Sequence, residues 1–261
     1  MFGRCLAGLV LAMAATSAYA NAWTQPKGRA QVINKIEVMR ASEGFDRAGE
    51  LRPLPAVRDD RTLGVFAQYG VTDRLTLQFK ADWQTGEDAF VDYEGMGPAE
   101  VGVIWQAYRD DRNAVSLYVG YARAGAGRNA GYALPGVGDQ DWEVRVSAGR
   151  SLDGAGRGLV GSWGPERSFV EVQAARRMRQ GLSDETRADV TVGGHFGESW
   201  MVLGQAFGGV TDEGGARWLS VETSVVRSFG VWSLQAGWRH TIAGRETPLA
   251  EGAVLAVWRR F

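Results

Sequence analysis

Cysteine is almost absent. Cys5 is the only one in 261 residues, and it precedes a short apolar run near the amino terminus. Once that leader is removed, no disulfide, thiolate metal site or cysteine nucleophile can exist. Histidine is nearly as scarce: His195 and His240 are the only two, far apart in sequence. Neither has metal-ligand spacing, and each stands alone as a possible member of a Ser–His pair. No Gly-x-Ser-x-Gly sequence occurs. The Gly154-Ala155-Gly156-Arg157-Gly158 run lacks the Lys and Ser/Thr of a phosphate loop, and no helical pattern follows it, so it reads as a flexible linker. These gaps point away from an enzyme, a metal site and a cofactor.

An excess of one charge is also missing. Twenty-nine basic and 30 acidic residues leave a net charge of −1, which lacks the basic surplus of a nucleic-acid binder. After the leader, no apolar run is long enough for a transmembrane helix. Prolines number 7 against 36 glycines, a balance that suits strands and turns rather than helices.

The leader itself is legible. Arg4 gives a positive start, Leu6 to Ala15 is apolar, and Ala18-Tyr19-Ala20 fits a small-x-small cleavage pattern. Residues 1–20 are therefore expected to be an export signal, and 21–261 a single domain.

Beyond it, segments of about ten residues alternate apolar with polar side chains. Leu63, Val65, Ala67, Tyr69 and Val71 share one face of a strand; Leu75, Leu77, Phe79, Ala81 and Trp83 share a face of the next. About twelve such segments follow one another, with short turns mostly alternating with longer loops. Lipid cannot satisfy open backbone groups, so a membrane protein without apolar helices must be a closed barrel. The expected fold is all-β: a transmembrane antiparallel up-and-down β-barrel of about 12 strands, apolar side outward. Trp83, Trp142, Trp218 and Trp238 would form one aromatic girdle, and Trp105, Trp200, Trp232 and Trp258 the other. Loops are expected at Ala41–Asp60, Arg176–Asp184 and Ile242–Ala250, among others. The strand from Trp200 to Phe207 is apolar on both faces, so its facing is not assigned.

The polar faces supply the candidate lumen: Lys35, Glu37, Lys80, Asp82, Glu100, Glu143, Arg145, Glu171, Arg187, Asp189 and Glu222. Mixed charge can line a wet pore whose transverse field orders polar solutes, or it can pair into a network that packs a narrow barrel shut. Three readings follow: a passive channel for small solutes, a structural or lipopolysaccharide-contacting barrel, and a barrel lipid hydrolase. Arg176, Arg177 and Arg179 cluster at an expected outer rim, where guanidinium groups could dock on lipid phosphate or form an ordinary solvated loop.

The last stretch, Gly252 to Phe261, resembles the closing strand of a bacterial outer-membrane barrel. Ala253, Leu255, Val257 and the terminal Phe261 share a face, while Arg259 stands where an apolar residue is commoner. That resemblance implies insertion through the barrel-assembly machinery and contact with outer-membrane lipid. Together with Ala22-Trp23-Thr24-Gln25-Pro26-Lys27-Gly28 and Tyr69-Gly70-Val71-Thr72-Asp73-Arg74-Leu75-Thr76-Leu77, it makes the chain similar to the putative phenol meta-pathway transporters of proteobacteria. The resemblance implies an outer-membrane barrel that passes small molecules. It carries over no substrate and no functional residue.

Overall fold

The computed structural model describes residues 21–87, 92–125, 138–152 and 164–261. The leader and the Gly154–Gly158 run lie outside the described residues. The chain forms strands β1 (Ala30–Phe45), β2 (Leu51–Thr72), β3 (Leu75–Glu87), β4 (Asp92–Arg109), β5 (Asn113–Arg123), β6 (Gln140–Ser151) and β7 (Arg167–Arg179). It continues through β8 (Glu185–Phe196), β9 (Trp200–Thr211), β10 (Arg217–Phe229), β11 (Trp232–Arg245), the two-residue β12 (Thr247–Pro248) and β13 (Glu251–Arg260). Each long strand pairs antiparallel with its sequence neighbour, and β1 pairs with both β2 and β13. That last pairing closes a twelve-stranded barrel; β12 is a short extra strand against the end of β1.

Alternation sets the facing. Leu63, Ile36 and Leu255 pair in one row across β2, β1 and β13, and each is about half exposed on the outside. Val101, Val119, Trp142, Val144, Val172 and Val192 carry the apolar band around the wall. Their neighbours, including Gln78, Glu143, Ser147 and Ser224, are buried within. Register is fixed because a slip of one residue would exchange these two faces.

The last strand ends on the first. Phe261 N donates to Ala30 O at 2.9 Å, so the final residue is tied to the first strand. Arg259 is accommodated by stacking: its guanidinium lies 4.9 Å from the Trp232 ring and 4.5 Å from Phe261. Arg227 repeats the arrangement against Trp200 and Phe229, both at 4.9 Å. An aromatic face holds a cation at a membrane boundary while its N–H edge stays free for water or headgroups.

Several expected loops are strand. Ala41–Asp60 is mostly a hairpin: β1 runs to Phe45 and β2 begins at Leu51. Pro53 and Pro55 are tolerated there because β3 reaches only as far as Asp59, so this part of β2 pairs on one side. β7 extends to Arg179 and β11 to Arg245, through stretches that read as polar loops. Outside hydrocarbon, strands can pair while carrying polar side chains on both faces, and the sequence signal for them fades.

The turn after β4 is built on Asp110. Its carboxylate accepts the Tyr108 hydroxyl at 2.7 Å and the backbone N–H groups of Arg112 (2.8 Å) and Asn113 (2.6 Å). The Tyr108 bond first, then these N–H groups, hold its pKa below the usual aspartate range. A lowered native pKa stabilises the fold above the unfolded-state value of about 3.9, and that contribution fades as pH falls from there toward the native value. Asp110→Asn is therefore expected to flatten the acid side of a melting-temperature profile in detergent. The change should be small, because the group is exposed.

Candidate functional site

Backbone groups of a barrel wall are spent on the ladder, so anything held inside must be held by side chains. The segment 21–26 is held in this way. It folds into the barrel at the end that carries both termini, with Ala22 wholly buried and Thr24 nearly so. Asn21 N donates to Glu171 Oε1 at 2.9 Å, and Ala22 N to Oε2 of the same carboxylate at 3.3 Å. Gln106 Nε2 donates to Ala22 O (2.7 Å), and its Oε1 accepts Thr24 N (3.1 Å). Ser116 Oγ donates to Asn21 O (2.5 Å), and Thr76 Oγ1 accepts Gln25 N (2.9 Å). Gln68 accepts from Gln25 Nε2 and donates to Asn21 Oδ1, both at 3.0 Å. Five wall side chains thus satisfy a plug, one polar group after another.

Apolar packing completes it. Ile33, Phe66, Phe169, Met201, Leu203, Val226, Ala256 and Trp258 form a cluster inside the barrel, with Trp23 of the plug packed against it. The Trp23 ring meets Phe169 edge-on, with centroids 6.3 Å apart. Two glycines make room. A Cβ on Gly149 would lie 2.3 Å from the Trp23 ring, and one on Gly70 would lie 2.1 Å from Pro26 O. Gly149→Val is expected to dislodge Trp23 while leaving the lipid face unchanged. The outcome to measure is raised conductance in planar bilayers with gel heat-modifiability retained.

The inward faces correct the expected girdles at two positions. Trp258 is not in a girdle: it is fully buried inside, and its Nε1 donates to Gln235 Oε1 at 3.2 Å. Trp218 also faces inward, one residue out of phase with Leu219, and lines the lumen. Trp83, Trp142, Trp238, Trp105, Trp200 and Trp232 are exposed on the outside. The facing of β9 is resolved as well, since Met201 and Leu203 point in and Val202 points out. Met201 and Leu203 make the start of its inner face apolar because they serve the cluster.

Beyond the plug lies a cavity of about 350 Å³ with Asn21 among its lining residues. Lys35, Glu37, Lys80, Asp82, Glu143, Arg145, Arg187, Asp189 and Glu222 line it, as does Arg239. Glu100 is buried in the adjoining network, and Glu171 is engaged with the plug. The charges form two groups on the wall. On β3 to β8, Arg177 bridges Glu100 (2.7 Å) and Glu143 (2.6 Å). Arg145 also pairs with Glu143, and its guanidinium lies 4.6 Å above the Tyr118 ring. Lys80 reaches Glu100 at 3.3 Å, and Arg187 reaches Glu143 at 3.6 Å and Glu185 at 3.3 Å. On β1, β10 and β11, Arg239 joins Glu37 (2.8 Å) to Glu222 (2.6 Å), while Lys35 holds Glu37 at 2.7 Å. Burial of these charges is tolerated because opposite partners and cavity water share the cost.

The three rim arginines do not converge. Pleating sends Arg177 inward to Glu100 and Glu143, and Arg179 inward to Glu185 at 3.1 Å. Arg176 alone lies on the other face, and it is occupied by Asp212 (2.5 Å) and Asp184 (3.2 Å). A phosphate-docking trio required a loop here, and β7 runs through it instead. Arg177 and Arg239 are lumen residues not on the sequence-derived lumen set; two-residue parity with Glu171 on β7 and with Gln235 on β11 was the available signal.

His195 lies on β8 and His240 on β11, with β9 and β10 between them; His240 Nδ1 is 3.4 Å from Glu251 Oε2. Among the described residues, no group of three or more His, Cys, Asp or Glu could hold a metal ion.

No family model and no curated protein matches this chain. Solved structures do. The COG4313 outer membrane channel from Pseudomonas putida F1 is similar with a TM-score of 0.67 at 14% identity, over 94% of this chain and 100% of that one. The KdgM porin gives 0.55 at 5% identity over 88% and 99%, and the NanC porin 0.53 at 8% over 86% and 98%. At identities this low, what is shared is the architecture of a closed antiparallel barrel.

Proposed function

We propose that this chain is an outer-membrane β-barrel that passes small solutes passively. One observation carries the reading. A closed wall presents a continuous apolar exterior, yet encloses a cavity lined by ion pairs and hydroxyl groups. Hydrocarbon outside and water inside is the pairing of solvents that such a wall fits. The tight turns after β2, β4, β8 and β10 and both termini then fall in the periplasm, and the long β1–β2 hairpin faces outward. Paired charges across the cavity suit polar or zwitterionic solutes better than hydrocarbons. Similarity to the COG4313 channel and to two porins supports the same class. The finer likeness to the phenol meta-pathway group suggests no solute.

Insertion by the barrel-assembly machinery, guided by Phe261, and contact with phospholipid and lipopolysaccharide belong to the same reading. The plug favours a second one, a barrel without transport, because it fills the periplasmic end. Single-channel recording of the purified protein separates the two. Discrete openings are expected; a heat-modifiable barrel that never opens would leave the structural role. Replacing both His195 and His240 should change neither conductance nor lipid hydrolysis.

A further inference from the structure

Glu171 is a buried carboxylate whose hydrogen bonds all come from neutral donors, with Arg145 acting on it only at longer range. It accepts from Asn21 N, Ala22 N and Gln173 Nε2, and is 1% exposed. The other buried glutamates of the lumen each have a cationic side chain: Glu100 has Lys80 and Arg177, Glu143 has Arg145, Glu185 has Arg179, Glu222 has Arg239. Among the described residues no lysine, arginine or histidine forms an ion pair with Glu171. A buried carboxyl in this setting either keeps a proton or gains a positive partner.

The atom already on it is the nitrogen of Asn21, the residue that the Ala18-Tyr19-Ala20 pattern makes the first of the mature chain. We infer that Glu171 is the binding site for the mature chain's own α-ammonium group, and that removal of the leader completes the plug. The chemistry is hydrolysis by a signal peptidase. Water cleaves the Ala20 C–Asn21 N bond, its hydroxyl goes to the Ala20 carbonyl carbon, and its hydrogen goes to the Asn21 nitrogen. At neutral pH the new amine, with an ordinary pKa of about 7.7 to 8.0, takes up a further proton. A single neutral N–H donor at 2.9 Å thereby becomes a charged group with three donors at the same place.

Position makes the site selective. One extra residue would carry the ammonium roughly 3.5 Å along the chain, out of reach of Oε1. Ser116 Oγ holds Asn21 O and Gln68 holds the Asn21 side chain, so the segment cannot slide to compensate. A precursor still joined to its leader has only the neutral amide at this place, so the charge pairing with Glu171 follows processing rather than preceding it.

The test uses full-length protein exported to the outer membrane and extracted in mild detergent. Intact mass should place the mature start at Asn21; another start overturns the inference. An amine-terminus-selective aldehyde reagent, read by mass, should then label the folded wild type at least about tenfold more slowly than the unfolded chain. Glu171→Gln should bring the folded rate close to the unfolded one, with heat-modifiability confirming a barrel. Glu171→Asp, which keeps the charge but shortens the reach, should fall between and serves if the glutamine variant does not fold. Equal labelling of folded and unfolded wild type, or of wild type and whichever variant folds, would overturn the assignment. Channel openings play no part in the readout, so this result and the conductance test succeed or fail separately.

Discussion

Deleting Asn21 to Pro26 is expected to raise single-channel conductance severalfold while the barrel stays folded. The segment lies inside the lumen, and its removal unmasks Gln68, Thr76, Gln106 and Ser116 as a hydrated polar patch. Ladder bonds of the wall do not involve it, apart from the Gly28–Gly70 and Arg29–Pro26 backbone contacts at its exit. A twelve-stranded barrel is wide enough for a water path once it is not filled. The apolar cluster around Trp258 would remain and would set the new constriction. Planar-bilayer recording of deletion and wild type under the same salt checks this, and unchanged conductance would show that the plug is not what limits flow.

The second large effect is expected from Glu143→Gln. Glu143 is the hub of the β3–β8 network, contacting Arg145, Arg177 and Arg187 with its side chain 2% exposed. Replacing it keeps the shape and removes the charge that three guanidinium groups share. Breaking a buried pair by removing one partner costs about 3 kcal/mol, because the remaining charge is left uncompensated. Here the loss is softened by the cavity and by Glu100, which still holds Arg177. Two readouts should move together. The temperature at which the barrel loses its folded gel mobility should drop, and the reversal potential in a salt gradient should shift toward anions. A drop in stability with unchanged selectivity would mean that this wall is not part of the ion path.

How much of this was legible beforehand follows from what each face must do. The lipid face was readable because hydrocarbon imposes one rule on every strand; Leu63, Ile36 and Leu255 obey it and end up in one row. The wet face follows no single rule. Ile33, Phe66, Met201 and Trp258 look like errors in the alternation, or like girdle residues, until a plug is present for them to pack against. The plug was visible only as a familiar string, Ala22 to Gly28, with no periodicity to place it. Arg177 misled for a local reason: three basic residues in four positions look like a loop, and the pleat separates them only once β7 is known to continue. The charged residues of the cavity were findable from parity, but their partners were not, since Arg177 on β7 reaches past two strands to Glu100 on β4 and the two are distant in sequence.

The β1–β2 hairpin has a further consequence. Twenty-two residues of β2 span roughly 70 Å along the strand at 3.3 Å each, whereas the apolar band of such a barrel is about 25 Å tall. Even with the usual tilt, much of that wall stands clear of the bilayer on one side only. The outer mouth is thus a slanted spout: on one flank a molecule diffusing in from the medium meets ordered sheet, well above the lipid plane, before it meets the charged chamber.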